Sequence, residues 1–220
     1  MLSRFAIPVL VVALSSLAGC SDARPEGKAT SATAPDQSGC ADVQAPEPKN
    51  DGGATKPKAR LDAGKANTVT FATSCGAFTV TLDVKSAPNT AASVAALARR
   101  GFYDKTTFHR IVPGFVIQGG DPTGTGSGGP GYKTVDAPSG DAVYTRGVVA
   151  MAKTPDESPG TSGSQFFVVT ADDAGLPPEY AIIGTVTKGM STVKRIESLG
   201  TSSEQPSRPV VIKKATFSAK

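Results

Sequence analysis

Phe108-His109-Arg110-Ile111-Val112-Pro113-Gly114-Phe115-Val116-Ile117-Gln118-Gly119-Gly120-Asp121 is the stretch on which the reading of this 220-residue chain turns. Between Arg110 and Gln118 it sets a permanent cation, an aromatic ring, an aliphatic side chain and an amide. A strand points alternate side chains to opposite faces. Pro113 has no amide hydrogen and Gly114 takes dihedrals closed to other residues, so a bulge or bend is expected there. One strand re-aimed by that bend would bring Arg110, Phe115, Val116 and Gln118 to a shared concave surface. An apolar cleft with one guanidinium and one amide suits a neutral, partly apolar ligand.

Outward from this run, Gly147-Val148-Val149-Ala150-Met151-Ala152 and Ser164-Gln165-Phe166-Phe167-Val168-Val169-Thr170 read as strands. Thr68-Val69-Thr70-Phe71-Ala72-Thr73 and Ala77-Phe78-Thr79-Val80-Thr81-Leu82 alternate around Ser74-Cys75-Gly76 and predict a hairpin. Pro88-Asn89-Thr90 opens a helix to about Arg100, with Val94 and Leu97 at helical spacing and Gly101 as the stop. A strand over 181–186, a second helix from Met190 to Leu199 ended by Gly200, and a closing strand over 209–217 follow. Many strands with two helices and no regular βαβ alternation argue for an antiparallel sheet or barrel. Residues 67–220 have the length of one domain with a real core.

The stretch around Arg110 resembles the cyclophilin family of peptidyl-prolyl isomerases. The run from Ser164 to Thr170 resembles the same family at the spacing expected downstream, and Gly147 to Ala152 resembles the family strand between them. The resemblance spans roughly Thr68 to the C-terminus. It implies a mainly β fold, a closed eight-stranded antiparallel barrel capped by two helices, in which closure removes the exposed edges of an open sheet. It also implies an activity. Rotation about an X-Pro bond faces a barrier of ~18–20 kcal/mol because amide resonance must be broken. A site that binds the twisted amide better than either planar isomer lowers that barrier without nucleophile, metal or cofactor.

The resemblance assigns catalytic roles to Arg110, Phe115 and Gln118. Arg110 would donate to the proline nitrogen, which regains its lone pair only in the twisted state. Val116, Gly126, Ala152, Gln165, Phe167, Leu176 and Tyr180 fall at substrate-binding positions, with Phe115, Val116, Phe167 and Leu176 forming the proline slot. Phe115 and Phe167 read equally as ordinary core residues, the default for a strand phenylalanine. Two positions depart from the family pattern: Gly175 stands where a tryptophan is common, and Tyr180 where a histidine is common. Losing an indole removes an apolar wall and a hydrogen-bond donor, so weak cyclosporin binding with retained isomerase activity is expected. The alternative is a non-catalytic scaffold or holdase that binds proline-containing polypeptides.

The first nineteen residues read as an export signal, with Arg4 as the positive region, Phe5 to Leu14 as the apolar region and Leu17-Ala18-Gly19-Cys20 at the end. The apolar run is shorter than the ~20 residues a spanning helix needs. Leu-Ala-Gly-Cys resembles the lipobox of bacterial lipoproteins, which makes Cys20 the lipidation candidate. Ordinary cleavage after Ser16-Leu17-Ala18 is the alternative. A diacylated cysteine anchors stably where one chain is marginal, which places the protein at the cell membrane, on its extracytoplasmic face. Residues 20–66 are poor in apolar side chains, and their seven basic groups are matched by seven acidic ones. Such a segment cannot offset the entropy of ordering and reads as a flexible tether. Cys40 and Cys75 would then be the remaining thiols, able to form one disulfide in an oxidising compartment or to stay unpaired.

Charge excludes other classes. Lys and Arg number 23 against 19 Asp and Glu, with no basic block, so nucleic-acid binding is disfavoured. Gly124-Thr125-Gly126-Ser127-Gly128-Gly129 lacks the Gly-Lys-Ser/Thr ending and the following helix of a phosphate loop. His109, the single histidine, builds no metal site and reads as a satisfied structural residue. No serine sits in a nucleophile elbow. A monomer is expected.

Overall fold

A computed structural model describes residues 39–220. The leader over 1–19, the lipidation candidate Cys20 and the first part of the expected tether lie outside the described residues. Alternating β-branched and aromatic residues build β1 (Asn67–Thr73) and β2 (Gly76–Leu82). Val69, Phe71, Phe78, Val80 and Leu82 point inward and are buried, while the intervening threonines stay partly exposed. Helix α1 (Pro88–Arg99) starts on a proline, whose missing amide hydrogen would have no helical partner at that position. It buries Ala91, Val94, Ala95, Leu97 and Ala98.

The decisive stretch is two strands, β3 (Thr106–Val112) and β4 (Val116–Asp121), and the single bent strand expected from sequence is corrected accordingly. The Phe115 amide donates to the Val112 carbonyl at 3.0 Å across Pro113-Gly114. Gly114 has φ 73°, so proline and glycine occupy the two central positions of a type II turn and the chain reverses. The reversal sets Arg110 opposite Gln118 and Val112 opposite Val116.

The remaining elements are β5 (Thr134–Val135), β6 (Val148–Met151), β7 (Thr161–Ser162), β8 (Phe166–Val169), β9 (Ile182–Lys188), α2 (Met190–Glu197) and β10 (Val211–Ala219). Eight strands close into an antiparallel barrel in the order β1-β10-β3-β4-β8-β6-β9-β2, and β2 returns to β1. Strands β5 and β7 form a separate two-stranded ribbon that the sequence did not reveal. Helix α1 packs on β1 and β10, and α2 on β2, β3 and β4. The main core is aromatic: the Phe71 ring lies 4.9 Å from Phe166 and 5.2 Å from Phe78, and Phe108 meets Phe166 edge to face at 6.0 Å. Gly120 (φ 84°) passes so close to β8 that a Cβ there would sit 2.9 Å from the Phe166 ring and 2.7 Å from the Ser164 carbonyl. Only glycine permits that approach.

From Gly39 on, the segment expected to be a free tether lies against the barrel as an extended strap. Its composition offers little apolar surface, but other attachments hold it. Cys40 and Cys75, both buried, are joined by a disulfide, and the Ala41 amide donates to the Ser74 carbonyl at 2.8 Å. Lys49 Nζ donates to the carbonyls of Gly101, Phe102 and Asp104, just past the C-terminus of α1, where a cation is favoured. Burial nonetheless pushes the Lys49 ammonium pKa below its ordinary value. Further on, Gly52 and Ala54 donate to the Gly129 and Pro130 carbonyls, each at 3.0 Å.

Candidate active site

Side-chain alternation divides the barrel wall between two apolar clusters. Along β8, Phe166 and Val168 belong to the main core, while Phe167 and Val169 belong to a second cluster with Val116, Tyr144, Val148 and Ala150. Half-buried Phe115, Ala152, Leu176 and Tyr180 complete it. Tyr144 organises this cluster. Its hydroxyl donates to the Tyr180 carbonyl at 2.8 Å and accepts the Tyr180 amide at 3.0 Å. The Tyr180 ring then stands edge-on to Phe167, 5.6 Å between centroids, and edge-on to Tyr144 at 6.0 Å. The result is a cleft of ≈ 260 Å³ lined by Arg110, Phe115, Gln118, Phe167, Leu176 and Tyr180, with Val116, Ala152 and Lys153 completing its wall.

A chain of polar side chains crosses the mouth of this cleft. Arg110 Nε donates to Glu204 Oε2 at 2.7 Å, and its Nη1 approaches Gln118 Oε1 at 3.5 Å. Gln118 Nε2 donates to Gln165 Oε1 at 3.1 Å, and Gln165 Nε2 donates to the Gly126 and Gly128 carbonyls, each at 2.9 Å. Gln165 and Gly126 therefore line a neighbouring cleft of ≈ 520 Å³, which shares Gln118, Ala152 and Lys153 with the first. All ten residues expected at the site lie on these two adjoining clefts. Gly175, exposed with φ 61°, has nothing within 4 Å of where a Cβ would stand, so no wall rises there.

The glycine-rich loop that rims the second cleft hangs on Asp121, a fully buried carboxylate. Asp121 Oδ1 accepts the Thr123 amide at 2.7 Å, and Oδ2 accepts the amides of Gly126 at 2.5 Å and Gly128 at 3.2 Å. Burial by itself would raise this carboxyl's pKa. The hydrogen bonds from Thr123, Gly128 and Gly126 outweigh it and hold the group below its ordinary value. A depressed carboxyl stabilises the fold above its unfolded pKa of ~3.9, and the contribution is lost as pH falls through the folded value. Asp121→Asn is expected to lower stability at neutral pH by about 1–3 kcal/mol. Its melting temperature should also fall less steeply with acid below about pH 4. Melting curves between pH 7 and 2 test this; parallel curves for the two proteins would refute it.

Residues 68–217 match the family model for cyclophilin type peptidyl-prolyl cis-trans isomerase/CLD. The chain belongs to the cyclophilin family. It is 41% identical over 151 residues to peptidyl-prolyl cis-trans isomerase CYP18-2 of Arabidopsis thaliana, covering 67% of this chain and 89% of the relative. Peptidyl-prolyl cis-trans isomerase-like 1 of Emericella nidulans is 43% identical over 143 residues, covering 63% and 86%. Among solved structures, a Cryptosporidium parvum cyclophilin determined in the presence of the dipeptide Ala-Pro superimposes with TM-score 0.64 at 33% identity, covering 70% of this chain and 99% of its own. This cyclophilin is accordingly a peptidyl-prolyl cis-trans isomerase.

Several side chains that build the cyclophilin cleft gave no sequence signal. Glu204 holds Arg110 from 94 residues away, and Tyr144 sits in a region without strand periodicity. Lys153 is nearly inaccessible at its side chain, with 2% exposed, and its ammonium meets Glu179 Oε2 at 2.8 Å. That carboxylate raises the Lys153 pKa. The Pro113-Gly114 pair did carry a legible signal, since proline followed by glycine between two apolar runs marks a turn. His109 departs from its expected satisfied role: neither ring nitrogen has a hydrogen-bond partner among the described residues. Burial lowers its pKa and favours the neutral ring.

Proposed function

We propose that this cyclophilin isomerises X-Pro bonds in polypeptides emerging outside the cytoplasm while anchored to the membrane through lipidated Cys20. The observation that carries the catalytic part is Arg110, held by Glu204 at the mouth of an apolar cleft beside Gln118. The proline ring enters between Phe115, Phe167, Leu176 and Tyr180, with Val116 beneath. In the planar amide the nitrogen lone pair is delocalised into the carbonyl, so Arg110 gains little. As the bond twists, the lone pair localises and the guanidinium donates to it, which is binding energy present only at the top of the barrier. Gln118 and Gln165 hold the flanking backbone, with Gly126 and Ala152 as the edges along which the peptide lies. Water has no part in the reaction, so the open cleft is no handicap.

X-Pro isomerisation takes tens to hundreds of seconds unaided, slow enough to limit folding. The lipobox-like run ending in Cys20 supports the anchor, and the Cys40–Cys75 bridge fits an oxidising compartment. A monomer acting on proline-containing polypeptides fits this reading. With Gly175 and Tyr180 at the altered positions, cyclosporin binding is expected to be weak. Metabolic labelling with an alkynyl fatty acid, followed by fractionation, tests the anchor. Wild-type chain should carry label and sediment with membranes, while Cys20→Ala should lose both. Unlabelled wild-type protein in the soluble fraction would overturn the anchoring.

A further inference from the structure

The second cleft has one wall outside the family match, supplied by Asp51 of the strap. Asp51 is fixed in place. The Gly129 amide donates to Asp51 Oδ1 at 2.7 Å, and the Gly52 amide returns a bond to the Gly129 carbonyl at 3.0 Å. Gly131 runs so close that a Cβ on it would lie 3.0 Å from the Gly52 Cα. Two residues earlier, the Lys49 amide donates to the Pro122 carbonyl at 2.8 Å, at the start of the same loop. The strap and the glycine-rich loop thus form one wall, and the carboxylate is carried at its rim.

The other charged side chains that line this cleft are each held in an ion pair. Lys133 Nζ meets Glu157 Oε1 at 2.7 Å, and Lys153 Nζ meets Glu179 Oε2 at 2.8 Å. The second oxygen of Glu157 accepts the Thr154 amide at 2.8 Å. Asp51 has no ion-pair partner among the described residues; its hydrogen-bond partner is the Gly129 backbone amide, which leaves its charge open to a ligand at the rim of the cleft.

We propose that Asp51 makes this cleft select proline peptides that carry lysine or arginine near the proline. The clefts share Gln118, Ala152 and Lys153. An extended peptide advances about 3.3 Å per residue, so one seated in the proline slot and continuing into the adjoining cleft brings a side chain within a few residues of the proline toward Asp51. Such a basic side chain pairs with the Asp51 carboxylate, and an acidic one meets it as a like charge. The inference rests on the peptide-binding reading of the proline slot.

The test measures dissociation constants of fluorescent alanine-based proline peptides for the full chain, by anisotropy at low ionic strength. Single lysine or glutamate residues are placed two and three positions from the proline, on either side. At one of these positions, wild type should bind the lysine peptide about two- to fivefold more tightly than the glutamate peptide, the scale of an exposed charge pair. The ratio should shrink in about 0.5 M salt as screening sets in. Asp51→Asn keeps an oxygen for the Gly129 amide, and its ratio should fall to about one because the charge is gone. Asp51→Lys should reverse the preference. Equal binding of the lysine and glutamate peptides by wild type at all four positions would overturn the proposal. So would a preference that persists in both variants. Turnover of the plain alanine peptide, followed in the same samples, reports separately on catalysis: a lysine preference without turnover would uphold the role of Asp51 and count against the isomerase mechanism.

Discussion

Arg110→Ala is expected to lower kcat/KM for a proline tetrapeptide by about 10²–10³-fold, the usual loss when one donor aimed at transition-state charge is removed. The size of the loss follows from when Arg110 acts. Its bond to the proline nitrogen exists only in the twisted state, so the deficit should appear in kcat as well as in kcat/KM. The fold should be spared. The Arg110 side chain is 34% exposed and its partner Glu204 50% exposed, and ion pairs at such positions contribute ~0–1 kcal/mol. The apolar slot formed by Phe115, Phe167, Leu176 and Tyr180 does not depend on the guanidinium, so proline-peptide affinity should change far less than turnover. Arg110→Lys keeps the charge without the planar fork that spans Glu204 and Gln118, and should recover only part of the rate. Turnover measured beside circular dichroism checks this. A folded alanine variant within threefold of wild type would remove Arg110 from the mechanism and favour a binding scaffold.

Loss of the Cys40–Cys75 bridge is the second large effect. The two cysteines are 35 residues apart, and on the chain-entropy account a loop of that length restricts the unfolded state by about 4 kcal/mol. For a domain of this size that corresponds to a fall in melting temperature of roughly 8–15 °C. Both cysteines are buried, so a Cys40→Ala/Cys75→Ala double variant is a cleaner probe than added reductant. Much of the effect should be felt in the strap, whose other attachments are backbone hydrogen bonds, the side chains of Lys49, Asp51 and Lys56, and partly buried Ala54 and Leu61. Calorimetry of the double variant beside wild type gives the number directly. A shift below about 2 °C would mean that the strap's remaining contacts already constrain the unfolded ensemble.

How far the sequence could be read depended on the range of the forces involved. The hairpin of β1 and β2 was legible because Val69, Phe71, Phe78 and Val80 alternate with threonines, and burial follows that period. Arg110, Gln118 and Gln165 were legible through motif context, although the geometry joining them was not. Arg110 and Gln118 meet across a tight turn, and not along one bent strand. The strap was misread because composition reports the apolar surface a segment can bury. The Cys40–Cys75 crosslink was open to reading as one of two outcomes, but composition carries no information about a lysine seated among three carbonyls or amides paired with a glycine-rich loop. Glu204 and Tyr144 act across long sequence separations and leave no local pattern.

Strand order also has a consequence in time. Strand β10, the last barrel strand in chain order, lies between β1 and β3, and the Ala66 amide donates to the Lys220 carbonyl at 2.8 Å. The first and final strands of the domain are therefore neighbours. Until β10 is available, the barrel is one stave short, and β1 and β3 each present an open edge able to pair with any passing strand. This prolyl isomerase thus cannot close its own barrel until its final strand joins the first.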